Sequence, residues 1–342
     1  MTIRIGAVAR RTGRRALAGL LLALFPAVPA LATCAGNDRL AEIEAAQPGT
    51  EAALAEAALE HPYAEGRFWR VERDGAVSWL FGTYHDPAKE IVTLPTPVSK
   101  ALDSARIVLL EALQADQNAM QAYIQANPTL FFTTGGSTLD RLDPKARGRL
   151  EALLGNYSIP PEVAGRMQPW FLSILISIPA CTITAAQQGL PVLDETLERR
   201  AIQAGTEVAA LEELDDSIGR MARLDEFGAL DVLQATIVMA DASEDFRATA
   251  VRLYLEGRIR MIWEYNLLEA QAFDDDMDID AIFATFEREL LIERNRAWMA
   301  RILEETAAGD AFIGVGALHL SGESGLLRLL EDAGYTVTRQ TL

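Results

Sequence analysis

The sequence predicts an α/β protein: a mixed, largely parallel sheet flanked by helices and carrying a large helical insertion. Three observations lead there. Short apolar runs suited to buried strands alternate with amphipathic helical stretches, the pattern of β-α-β units. Two further apolar runs flank Asp74-Gly75, a two-residue hairpin turn. From about 215 to 306 the apolar spacing is helical, without a proline or a good strand.

The elements follow in chain order. Residues 1–32 carry Arg4, Arg10, Arg11, Arg14 and Arg15, then the apolar run Ala16 to Val28, then Ala30-Leu31-Ala32. This three-part pattern is that of a secretory signal peptide cleaved after Ala32. The run is far shorter than the roughly 20 residues a membrane span needs and contains Pro26. A periplasmic or secreted protein is expected, without a stable membrane span after cleavage. Leu31-Ala32-Thr33-Cys34 comes close to a lipoprotein site, but Thr33 before Cys34 fits that motif poorly.

Loss of the five leader arginines would take the net charge from −18 to −23. So acidic a surface repels phosphate backbones, which argues against nucleic acid as a partner. The two cysteines, Cys34 and Cys181, are expected to pair in an oxidising compartment, tying the new N-terminus to the body. The alternative is a lipidated Cys34 with Cys181 as a buried thiol.

Residues 33–65 are rich in Ala and Glu and read as a helical lead-in, and 66–342 as one domain. Phe68 to Arg73 and Ala76 to Phe81 form the hairpin, whose second strand runs into Gly82-Thr83-Tyr84-His85. Four more short strands each meet a polar residue. Arg106–Leu110 meets Glu111, Pro191–Leu193 meets Asp194, Glu207–Leu211 meets Glu212, and Ala311–Val315 runs into Gly316-Ala317-Leu318-His319. Helices are expected near 116–127, 144–155, 162–178 and 195–204. A last helix over 323–333 stops at Gly334, before a final strand from Tyr335 to Arg339.

Open α/β sheets bind ligands beyond the carboxyl ends of their strands. His85, Glu111, Asp194, Glu212 and His319 all fall there. Two imidazoles with carboxylates are a donor set for a divalent transition ion, with Mn, Co, Fe and Zn undistinguished. Gly82 and Gly316, without a Cβ, let the backbone turn sharply and approach a ligand closely. Each residue alone also has an ordinary reading: Asp194 and Glu212 suit helix starts, and a single Gly-x-x-His is common. The chain has only three histidines, however, and two share that arrangement. His61, before Pro62, lies outside the sheet and reads as a surface residue. Asp276-Met277-Asp278-Ile279-Asp280 with Glu287 approaches an EF-hand loop, but Ala281 stands where the turn needs Gly. Acids at a helix start account for it better.

The segments Leu80 to His85, Leu109 to Glu111 and Phe312 to Gly322 resemble the TraB/PrgY/GumN (TIKI-like) family, in its exported GumN-like branch. Met167-Gln168-Pro169-Trp170, Val192 to Glu195, Leu211-Glu212, and Glu293-Arg294-Asn295 with Trp298 agree in order. The resemblance spans about Phe68 to Arg339 and implies an erythromycin-esterase/ChaN-like fold. Animal members are metal-dependent proteases. By that resemblance His85, His319 and Glu111 would hold a metal, and Glu111 would be either ligand or base. Glu212 would support the site and Arg294 would meet a developing oxyanion; the ordinary reading of Arg294 is a surface arginine among acids. Asp86 departs from many relatives. The expected function is a metal-dependent, peptidase-like hydrolase of the cell envelope acting on a peptide or small molecule. The alternatives are a non-catalytic metal-, haem- or peptide-binding protein and an accessory of polysaccharide assembly. The absence of His-Glu-x-x-His excludes a zincin-type site.

Overall fold

The computed structural model describes residues 34–223, 228–272 and 278–342; the expected signal peptide lies outside them. Six strands form one sheet: β1 (Phe68–Arg73), β2 (Ala76–Thr83), β3 (Ile107–Leu110), β4 (Glu207–Ala210), β5 (Ala311–Gly316) and β6 (Thr336–Arg339). Their order is β4-β3-β5-β2-β1-β6. The pairs β4/β3, β3/β5 and β5/β2 are parallel, while β1 runs antiparallel to both β2 and β6. This is the expected α/β fold with a mostly parallel sheet. Asp74 and Gly75 both take positive φ, the geometry that lets a two-residue turn follow the twist of its strands.

Successive strand residues point to opposite faces, and both faces are covered. Phe68, Phe81, Val108, Leu110 and Phe312 pack with Leu193, Leu197, Leu253 and Tyr254. Their neighbours Trp69, Leu80, Leu109 and Ile313 pack on the other face with Trp298, Ile302, Leu326 and Leu330. β3 is buried at all four positions, which explains its unbroken Ile-Val-Leu-Leu composition.

The lead-in is two helices, Arg39–Ala46 and Thr50–Leu59, and it is part of the core: Leu40, Leu54 and Ala58 are buried there. Asp38 accepts from Thr249 at 3.0 Å and from Arg252 at 2.5 Å, and Arg39 pairs with Glu269 at 2.8 Å. Cys34 and Cys181 form the expected disulfide, across 147 residues. A sulfur so bonded cannot also carry a lipid thioether.

Among the described residues, those from 214 to 308 form no strand. They comprise the helices Leu214–Ala222, Ala229–Ala240, Ser243–Glu256, Ile259–Gln271 and Ile279–Phe286, then a π-helical turn, Glu287–Ile292, continuing into Glu293–Ala308. Asp278 caps the Ile279–Phe286 helix by accepting from the Ala281 N–H, as acids at a helix start do; Asp276 and Met277 lie outside the described residues. No single described helix is long and apolar enough to cross a membrane.

Two expectations fail. Pro191–Leu193 is not a strand: Leu193 opens the helix Leu193–Ala204, with Asp194 and Glu195 in its first turn. Both edges of β3 are already taken, by β4 and β5, and two acids favour a helix N-terminus. The helix expected over 162–178 is broken into Pro161–Ala164 and Pro169–Ser177. Pro169 has no N–H to continue a helix but suits a new first turn.

Candidate functional site

Parallel pairing sets the strand ends level. Thr83 pairs with Gly316, Leu110 with Gly314 and with Ala210. His85, Glu111, Glu212 and His319 therefore leave one edge of the sheet within a few residues of its rim. Asp194 reaches the same edge from a helix rather than a strand. Its Oδ1 accepts from the Thr83 hydroxyl at 2.9 Å and its Oδ2 lies 3.1 Å from His85 Nδ1.

Both glycines lie at close approaches. A Cβ on Gly82 would lie 2.9 Å from the Cα and Cβ of Ala317, so the turn carrying His319 could not settle on β2. A Cβ on Gly316 would stand 3.1 Å from Glu111 Oε1, 3.5 Å from His319 Cδ2 and 4.0 Å from His85 Nε2. The space over Gly316 is thus bordered by a carboxylate oxygen, the edge of one imidazole and a nitrogen of the other.

Glu111 is buried and doubly held. Its Oε1 accepts from the Gly316 N–H at 2.6 Å, and its Oε2 accepts from Arg294 Nη2 at 2.6 Å. Burial alone would raise its carboxyl, but His319, when protonated, and Arg294 outweigh that and hold it at about 2. His319 stays neutral down to about 4, chiefly through burial. At neutral pH His319 is uncharged, so Arg294, together with His85 and the Gly316 N–H, keeps Glu111 ionised.

Arg294 is largely covered, with 14 % of its side chain exposed, rather than a surface residue. Its Nε and Nη2 donate to Glu212, at 2.6 Å for the shortest contact. Its Nη1 donates to Leu290 O at 3.4 Å and stands 3.3 Å from His319 Nε2. The guanidinium has five N–H groups, and these partners with Glu111 engage them all. Leu290 belongs to the π-helical turn, a feature common at functional sites. The Arg294 guanidinium also lies 4.6 Å over the Trp298 ring, and the Trp298 indole N–H donates to Glu212 at 3.3 Å. Burial opposes the charge of Arg294, but Glu111 and Glu212 raise its pKa further.

His319 Nδ1 lies 2.7 Å from Asn295 Oδ1, and its ring centroid 4.6 Å from that of Trp298. His85 differs in being open, with 60 % of its side chain exposed. Asp194 raises it to about 9, a shift that solvent screening moderates at so exposed a ring. Asp86, left without a role by the sequence, is buried in a fork with Arg247 at 2.5 and 2.6 Å and accepts from the Ala88 N–H. It pins the His85 loop to the Ser243–Glu256 helix. His61 lies 3.8 Å from Glu264 instead.

Asn295 and Trp298 served only as landmarks in the sequence; their contacts with His319 and Glu212 are long-range. The available signal was helical spacing, because Trp298 lies four residues after Arg294 and so on the same face.

Among the described residues, no three His, Cys, Asp or Glu side chains form a closed ligand cluster. Glu111 Oε1 and His319 Nε2 are adjacent at 3.6 Å. One carboxylate oxygen of Glu111, the edge of the His319 ring and Nε2 of His85 border the space over Gly316.

No curated protein and no solved structure matches the chain. The model of the TraB/PrgY/gumN family matches residues 67–339, from the first strand of the hairpin to the last strand of the sheet, so the chain belongs to that family.

Proposed function

We propose that the protein is a metal-dependent hydrolase of acyl bonds, peptide or ester, acting in the periplasm or outside the cell. The observation that carries this reading is the meeting of His85 Nε2, Glu111 Oε1 and the His319 ring over Gly316. His85, His319 and Glu111 would hold the ion. When bound, it would polarise the scissile carbonyl and lower the pKa of a water molecule.

The chain's own residues do the rest. Arg294 and the Gly316 N–H keep Glu111 a carboxylate, and with both oxygens already accepting it is a better ligand than base. Asp194 faces His85 Nδ1, leaving Nε2 toward Gly316, the arrangement in which a carboxylate behind an imidazole orients it as a ligand. Arg294 directs its Nε and Nη2 donors at Glu111 and Glu212, so its role is to hold charge rather than to meet an oxyanion. The disulfide and the acidic surface support an exported protein that does not bind nucleic acid.

The test is turnover of a peptide and ester library by purified protein, with chelator and with Mn, Co, Fe or Zn restored. Loss of metal-restored turnover in both His85→Ala and His319→Ala, with the fold intact, supports the reading. Metal retained without turnover of any substrate makes the protein a binding protein instead. Turnover indifferent to both substitutions places the chemistry elsewhere.

A further inference from the structure

His319 has two ring nitrogens, and its use as a ligand or proton acceptor depends on which carries hydrogen. The surroundings decide this without reference to the ring. The side-chain nitrogen of Asn295 stands 3.2 Å from the His319 carbonyl oxygen and 2.8 Å from the Ser324 carbonyl oxygen. Carbonyl oxygens only accept, so the Asn295 amide must present its NH2 to them and cannot flip. Its oxygen is thereby turned to His319 Nδ1, 2.7 Å away, and an amide oxygen also only accepts. Nδ1 must therefore be the protonated nitrogen. On the far side of the ring, Arg294 Nη1 stands 3.3 Å from Nε2 and can only donate. The two neighbours agree from opposite ends.

We infer that Asn295 is a positioning residue, clamped by the carbonyls of His319 and Ser324, that holds His319 as the Nδ1–H tautomer with the Nε2 lone pair facing Glu111 and Arg294. The clamp is buried: Asn295 and His319 are 2 % and 3 % exposed. Water therefore does not compete for either group. Trp298 packs against the same ring, tilted by 43°, and limits its rotation. Asn295 reaches the site from the Glu293–Ala308 helix, one residue after Arg294. One turn of helix thus supplies both the charge for Glu111 and the orientation of His319.

The tautomer stands apart from the proposed activity, whereas its effect on metal affinity rests on that reading. The experiment is nitrogen NMR of the metal-free protein with labelled histidine, in which the three histidines give separable ring signals. The expected result is a protonated Nδ1 and a bare Nε2 at His319 in the wild type. In Asn295→Leu the two ring nitrogens should move toward the averaged shifts of a free neutral imidazole. Zinc(II) affinity should fall about 10–100-fold in Asn295→Leu. An Nε2–H tautomer in the wild type overturns the inference, as do wild-type shifts in Asn295→Leu. Should Asn295→Leu fail to fold, the wild-type spectrum decides alone. An Nδ1–H wild type that binds no zinc upholds Asn295 and removes the metal reading.

Discussion

Replacing Arg294 with methionine keeps most of the apolar stem and removes the charge between two buried carboxylates. Glu111, Glu212 and Arg294 have side chains only 11 %, 5 % and 14 % exposed, so the surviving acids cannot turn to water. In the folded chain His319, Arg294, His85 and the Gly316 N–H together hold the Glu111 carboxyl at about 2 against an ordinary 4.5. That difference corresponds to about 3 kcal/mol of stabilisation of its charged form. Breaking a buried pair by removing one partner costs about 3–5 kcal/mol, so the variant should lose that much stability at pH 7. A depressed carboxylate contributes above its unfolded pKa and loses its contribution as pH falls toward the folded one. Wild type should therefore weaken between about pH 4.5 and pH 2. The variant's unpaired acids instead become protonated, so its deficit should shrink over the same range. Chemical denaturation of both proteins at pH 7 and at pH 3 reads this out. The triple variant Glu111→Gln, Glu212→Gln, Arg294→Met should recover most of the loss at pH 7. A loss below about 1 kcal/mol, or the same loss at both pH values, would refute the reasoning.

Gly316→Ala is compatible with the backbone, since Gly316 has φ −48° and ψ 132°, but its methyl enters the cradle beside Glu111, His319 and His85. It should lower metal affinity at least tenfold while stability changes by about 1–2 kcal/mol, measured by metal titration beside denaturation. Removing the disulfide with Cys34→Ser and Cys181→Ser frees a loop of 147 residues and should cost about 3–5 kcal/mol in denaturation experiments. An unchanged midpoint would show that the lead-in docks without it. His85 is raised to about 9 chiefly by Asp194, so Asp194→Asn should return its NMR titration toward the ordinary 6.5. A titration midpoint unmoved by that substitution would assign the shift to another group.

The strands that carry the site were legible because their signals are local. Asp74-Gly75 specifies a hairpin by its own backbone preference, and Ile107–Leu110 is apolar throughout because both faces of β3 are covered. His85, Glu111, Glu212 and His319 were singled out by the rule that ligands meet the carboxyl ends of parallel strands, and the register brings those ends level. Asp194 reaches the same edge by another route, at a helix start, because three residues at Pro191–Leu193 cannot displace β4 or β5 from β3. What stayed hidden depends on pairs distant in sequence. Asp86 meets Arg247, 161 residues away, and Arg294 reaches Glu111, 183 residues away. The tautomer of His319 was beyond reach too, because it follows from which carbonyls the Asn295 amide must satisfy.

The claim that these strand ends hold a divalent ion is tested most directly by calorimetric titration of the purified protein with zinc(II), with elemental analysis beside His85→Ala and His319→Ala. A single bound ion in wild type, lost or weakened by at least tenfold in each folded variant, is the predicted result. No ion in wild type, or equal binding in all three proteins, would contradict it.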